Sequence, residues 1–203
     1  MDPDHALDDL APDALEGRVA LVTGGSRGIG LAAGTSMARL GATVVLVGQD
    51  AGRAEAAAAE LVAKGLDAVG RGCDVAAPAQ VAALHRSLGS LADVDVLVLA
   101  AGVMSERTSK TLRTTPEEWR RVMGVNLDGV HHVVHAFAPG MAARRDGRII
   151  TVSACLGRMS GPGTSGGLSA YRISKAAVNA YTKNLAVEVG AGRRGVLVDA
   201  TCP

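Results

Sequence analysis

The stretch VTGGSRGIG, Val22–Gly30, decides the reading of the fold. With Arg18–Leu21 before it, it forms an apolar run that ends in glycine, the pattern of a buried parallel strand. The residues after it, IGLAAGTSMARLG, Ile29–Gly41, read as a helix closed by Gly41. Gly24, Gly28 and Gly30 are spaced G-x-x-x-G-x-G. Glycines at this junction allow a tight turn and let backbone N–H groups approach a pyrophosphate at the helix N-terminus. The alternative is an ordinary glycine-rich turn. Its place at the first strand of a βαβ run weighs against that.

Outward from this loop, strand and helix patterns alternate. TVVLVG is a second strand, and GRAEAAAAELVAKG an alanine-rich helix stopped by Gly65. DAVGRGCDV, VDVLVLAAG, GRIITVSA and GVLVDATCP read as strands three to six. PAQVAALHRSLGSL reads as a helix. TPEEWRRVMGVNLDGVHHVVHAFAPGMAAR opens on a Thr-Pro-Glu-Glu capping signal and reads as one long helix. SAYRISKAAVNAYTKNLAVEVG reads as the last helix. The expected class is α/β, a doubly wound, Rossmann-like parallel sheet of six strands with ligands at the strands' carboxyl ends. Residues 1–17 are expected to be a flexible tail and residues 18–203 a single domain.

The 203 residues suffice for one such domain. Aromatic residues are 2%, so Ala, Val, Leu and Ile must build the core. A net charge of +1 argues against nucleic-acid or membrane-surface binding, which need a basic patch. No apolar run approaches a membrane span, and the acidic start MDPDHALDDLAPDAL is not a signal peptide. Cys73, Cys155 and Cys202 suggest neither a disulfide framework nor a zinc pattern, so a cytoplasmic protein is expected.

Tyr171 and Lys175 are i and i+4 on the last helix and so share a face. A free tyrosine titrates near pH ~10, and a neighbouring ammonium is expected to lower that. The pair then suits proton transfer to and from a hydroxyl, unless it is only the surface of an amphipathic helix.

Taken in order, TGGSRGIG, CDV at Cys73–Val75, AAG at Ala100–Gly102, NLDG at Asn126–Gly129, YRISK at Tyr171–Lys175 and VDATCP at Val198–Pro203 resemble the classical short-chain dehydrogenases/reductases over residues 18–203. The resemblance implies hydride transfer between a nicotinamide dinucleotide and a small carbonyl or alcohol. It implies a catalytic set of Asn126, Ser153, Tyr171 and Lys175, with Tyr171 as acid/base and Asn126 in a proton relay. It implies cofactor contacts from Gly24, Ser26, Arg27, Gly28, Ile29, Gly30, Asp74, Val75, Ala101 and Gly102, and from Tyr171 and Lys175 themselves, with Lys175 on the nicotinamide ribose. No metal is implied. The helical pair His131 and His135 lacks a third ligand.

NADP(H) is favoured over NAD(H). Gly48 stands where an NAD-preferring relative carries a carboxylate, and Arg27 could pair with a 2′-phosphate. Arg27 could equally be a solvated loop charge. Gln49 stands where many NADP-preferring members have a second arginine, and the direction of Asp50 is open.

Three features depart from the family. In SACLG, Ser153–Gly157, alanine occupies position 154, where the family carries its catalytic serine hydroxyl. Ser153 points to the opposite face unless the strand is distorted, and Ser160, Ser165 or Ser169 could substitute. Leu99 and Ala100 replace polar residues. Members usually continue past the position of Pro203 with a substrate-loop helix pair and a seventh strand, so the usual C-terminal strand is expected to be missing and a homo-oligomer is expected only with that region present. The alternative to an active reductase is a dinucleotide-binding protein with little or no turnover.

Overall fold

The computed structural model of the chain describes residues 10–105, 110–157 and 167–203. Six strands are present, β1 Val19–Thr23, β2 Thr43–Gly48, β3 Ala68–Gly72, β4 Val96–Leu99, β5 Gly147–Val152 and β6 Val196–Thr201. They alternate with α1 Gly28–Arg39, α2 Ala51–Val62, α3 Pro78–Ser87, α4 Pro116–Met123, α5 Gly129–Arg144 and α6 Ser169–Glu188. All neighbouring strands pair in parallel, in the order β3-β2-β1-β4-β5-β6. This is the doubly wound, Rossmann-like sheet the sequence calls for. The winding direction reverses between β1 and β4, which opens a crevice beyond their carboxyl ends.

Strand residues alternate between two apolar layers, as the pleat requires. Leu21, Val45, Leu97 and Ile149 face Val81 and Leu84 of α3, Val133, Phe137 and Met141 of α5 and Val178 of α6. Ala20, Val22, Val44, Leu46, Val96 and Val98 face Ala38 of α1 and Ala57, Ala58 and Leu61 of α2. Small side chains on α2 let it lie close to the sheet, which is how a chain with so few aromatics fills its core.

One expectation is corrected, that of a single long helix. Residues 12–17 form turns ahead of β1. The Leu15 N–H donates to the Leu40 carbonyl at 2.8 Å, and the Leu15 side chain packs on the second layer. The single long helix from Thr115 is two helices. Thr115 caps α4 as expected, its hydroxyl accepting from the Glu118 N–H at 3.2 Å. A π-turn, Gly124–Asp128, then separates α4 from α5. Asn126 lies within it, and such turns concentrate at functional sites.

No helix among the described residues is long and apolar enough to cross a membrane.

Candidate active site

The crevice holds a cleft of about 440 Å³, within the roughly 300–1,000 Å³ typical of ligand sites. All ten loop and strand-end positions expected from the sequence line it: Gly24, Ser26, Arg27, Gly28, Ile29, Gly30, Asp74, Val75, Ala101 and Gly102.

The loop is shaped for close approach. Gly24 has φ +67°, and a Cβ there would lie 2.8 Å from the Ala100 carbonyl. A Cβ at Gly30 would lie 2.3 Å from the Gly24 oxygen. Neither position admits a side chain. At Gly28 the added atom would meet nothing within 4 Å, so the loop is open on that side. The cap of α1 is Arg27, which makes no side-chain hydrogen bond to the helix, and the first turn carries no acidic residue. The first N–H groups of α1 therefore remain available to an anion. Thr23 Oγ1 accepts from the Ala101 N–H at 3.2 Å and ties this loop to the end of β4. Glycine cradle, uncapped helix and a cleft of this volume fit a dinucleotide.

At the far end of the cleft the catalytic candidates converge. Asn126 is fully buried, and its carboxamide is saturated. Oδ1 accepts from the Val103 N–H at 2.8 Å, while Nδ2 donates to the Val103 carbonyl and to Ser174 Oγ, both at 3.0 Å. Ser174 in turn donates to the Tyr171 carbonyl at 2.7 Å. Three segments are thus pinned together by one amide: the chain after β4, the π-turn and α6.

Lys175 is 5% exposed, and its Nζ donates to the Val152 carbonyl at 2.7 Å. The same Nζ stands 5.9 Å from the centroid of the Tyr171 ring. A Cβ at Gly102, which lines the cleft, would lie 3.5 Å from Asn126 Oδ1 and 3.6 Å from Lys175 Nζ. Tyr171, Lys175 and Asn126 therefore meet where the cleft ends at Gly102, Val103 and Val152.

The electrostatics differ from expectation at one point. The Tyr171 phenol is held above its ordinary range, not below it. Burial is the main cause, and the Cys155 and Cys202 sulfurs add repulsion. Burial also pushes the Lys175 ammonium below its ordinary range. With Nζ bonded to Val152, the cation does not offset the desolvation of the phenol.

Ser153 is the one catalytic candidate not brought to the cleft. It is 4% exposed, its N–H donates to the Thr201 carbonyl at 2.8 Å, and its hydroxyl donates to the Lys175 carbonyl at 3.3 Å. Thr151, on the same face of β5, meets Thr182 of α6 at 2.8 Å. Ala154 lies beyond the end of β5, where its carbonyl accepts from the Gly157 N–H at 2.9 Å. Ser169 is not a substitute in this state, since its hydroxyl is paired with Thr114 Oγ1 at 2.8 Å. Ser160 and Ser165 lie outside the described residues.

Sequence reasoning missed Ser174 and Arg53. The first sits three residues after Tyr171, on the buried side of the same helix, and that spacing could have signalled it. The second lines the cleft from the first turn of α2. Asp50 caps α2, which settles its direction. Leu99 is part of the apolar layer, and the Ala100 carbonyl closes over Gly24.

The three histidines have backbone or aromatic neighbours. His132 Nδ1 lies 2.9 Å from the Val75 carbonyl, and His131 Nδ1 lies 3.3 Å from the Tyr181 hydroxyl. No group of three or more potential metal ligands occurs among the described residues.

Known proteins share this arrangement. The profile of the family described as short chain dehydrogenase matches residues 18–203. A 3-oxoacyl-(acyl-carrier-protein) reductase of Synechocystis sp. is 37% identical over 192 residues, covering 94% of this chain and 74% of the relative. The structure of a gluconate 5-dehydrogenase from Burkholderia cenocepacia in complex with NADP and tartrate superposes with a TM-score of 0.84. It is 32% identical and covers 98% of this chain and 74% of that one. An NAD+-bound xylitol dehydrogenase, 28% identical, also superposes at 0.84, covering 93% of this chain and 70% of that one. The order of the motifs, the strand order and these likenesses agree: the chain belongs to the classical short-chain dehydrogenase/reductase family of NAD(P)-dependent oxidoreductases.

Proposed function

We propose that the chain is an NADP(H)-preferring oxidoreductase that interconverts a small carbonyl compound and its alcohol, with Tyr171 as the general acid and base. The observation that carries this reading is the meeting of Tyr171, Lys175 and Asn126 at Gly102, the inner end of the glycine-lined cleft. The bound dinucleotide would supply or accept the hydride at its nicotinamide ring. The Tyr171 hydroxyl, protonated at neutral pH, gives its proton to a carbonyl oxygen as the alcohol forms and takes one back in the reverse direction. Lys175, bonded to the Val152 carbonyl, would hold a ribose hydroxyl of the bound dinucleotide and places positive charge beside the phenol. Asn126 is a positioning residue through its side chain, because every polar atom of its amide is engaged. Any relay role falls to its backbone in the π-turn.

Ser153 is a positioning residue for α6 through the Lys175 carbonyl. Position 154 then offers no hydroxyl to the substrate oxygen. Removal of one such donor slows a reaction about 10²–10³-fold. This observation favours a second reading, a dinucleotide-binding protein with little turnover.

Thermal unfolding of the full chain with NADPH or NADH, followed by hydride-transfer assays on a panel of ketones and quinones, separates the two. Stabilisation by NADPH with turnover that Tyr171→Phe abolishes supports the first. Stabilisation without turnover supports the second.

A further inference from the structure

The cleft contains an arginine that none of the motifs points to. Beyond the end of β2, Gln49, Asp50 and Arg53 line the same cleft as Ser26 and Arg27 of the glycine loop. Two contacts hold this corner together. The Gly25 N–H donates to the Val47 carbonyl at 3.0 Å, and Ser26 packs against Gly48. A Cβ at Gly48 would lie 3.2 Å from Ser26 Oγ and 3.3 Å from Ser26 Cβ, so a side chain there would require Ser26 to give by a few tenths of an ångström. A carboxylate at that point would bind ribose hydroxyls and repel a 2′-phosphate.

Asp50 is the acid beside Arg53, and its carboxylate is committed. Oδ1 accepts from the Arg53 N–H at 2.9 Å as the cap of α2, and Oδ2 lies 3.2 Å from Arg53 Nε. That backbone hydrogen bond holds the Asp50 carboxyl below its ordinary range. The pairing with Arg53 uses Nε, and the side chain is 67% exposed, so the end of the guanidinium fork is open to a second anion. Arg27 and Arg53 both line the Asp50 side of the cleft, and Asp74, beyond β3, lines it as well.

We propose that Arg53, positioned by Asp50, is the second cation of a seat for the 2′-phosphate of NADP(H), with Arg27 the first. A phosphomonoester carries about −1.5 to −2 charge at pH 7, and planar guanidinium forks match its oxygens. Gln49 leaves vacant the position where the family resemblance calls for a second arginine, and Arg53 supplies that charge from the first turn of α2. The inference rests on the dinucleotide reading of the cleft.

The test is direct titration of the full chain by calorimetry with NADPH, NADH, 2′,5′-ADP and 5′-AMP. Arg53→Ala is expected to weaken NADPH and 2′,5′-ADP about tenfold, the scale of one charged hydrogen bond. NADH and 5′-AMP should stay within about twofold, as for a group they do not touch. Arg53→Lys should recover part of the loss, because it restores charge without the fork. Asp50→Asn keeps a good cap and should leave NADH affinity no weaker than in the unaltered chain. Equal weakening of both nucleotides by Arg53→Ala, or none, overturns the inference and leaves the dinucleotide reading standing. So does a selective loss of NADH affinity in Asp50→Asn, which would make Asp50 a ribose ligand. If the unaltered chain binds neither nucleotide, the dinucleotide reading fails and the inference with it.

Discussion

The Lys175 ammonium is bonded to the Val152 carbonyl at 2.7 Å inside the protein, with no carboxylate partner among the described residues. A buried cation held by one neutral acceptor is expensive to keep, and groups perturbed in this way cluster at functional sites.

Lys175→Met should therefore raise Tm at neutral pH by a few degrees, about 2–4 °C for each kcal/mol in a chain of this size. The folded-state pKa of Lys175 lies below its unfolded value of 10.5. Below the folded value both states hold the proton, and the cost of the buried charge is felt in full. As pH rises through the folded value towards 10.5 the folded chain releases the proton first, and the cost is relieved. The advantage of the variant should shrink over that alkaline window. Calorimetric scans at several pH values check it, and an advantage that grows with pH would contradict the placement of Lys175.

Ala154→Ser places a hydroxyl just beyond β5, at the position where the family resemblance puts its serine. It should raise kcat by about 10²-fold, the worth of one donor aimed at a reacting oxygen. Ser153→Ala should instead lower stability with little specific effect on kcat beyond it. The reverse result, with activity following Ser153 and not position 154, would show that the strand end rearranges on binding.

Asn126→Ala leaves the Val103 N–H and carbonyl without their partner. Stranding these two part-buried groups costs roughly 1–3 kcal/mol, a fall of at least about 2 °C in Tm. Thermal unfolding reads this in the absence of any cofactor. A loss of activity with no loss of stability would place the role of Asn126 in catalysis alone.

The thiols give an independent check on depth. Burial, with Asp74 beside it, pushes the Cys73 thiol up to about 11, whereas Cys155 is exposed. Iodoacetamide at pH 8 should label Cys155 in the native chain and Cys73 only on unfolding. Peptide mass spectrometry follows both.

The fold was legible because its signals are local and repeated. Each βα unit carries its own apolar run, glycine turn and cap, and the glycine loop marked the reversal point between β1 and β4. The long helix was misread because the π-turn at Asn126 comes from bonds to Val103 and Ser174, 23 and 48 residues away in sequence, which no periodicity reports. The cleft-lining positions were legible for the same reason as the fold: they are loop and strand-end residues in fixed order. The state of Tyr171 was not. Its pKa direction depends on burial and on Cys155 and Cys202, which tertiary packing alone brings near it. Arg53 was missed because a D-x-x-R pair opening a helix looks like ordinary capping until the cleft is seen beside it.

Transfer of deuterium tests the central claim most directly. NADPH deuterated at the transferable C4 position is incubated with the full chain and the panel of ketones and quinones, and products are analysed by mass spectrometry. The account predicts deuterium on the carbinol carbon of at least one product with the unaltered chain, and at least about 10²-fold less with Tyr171→Phe. A folded, NADPH-binding chain that transfers no deuterium, or transfers it equally well without the Tyr171 hydroxyl, would contradict it.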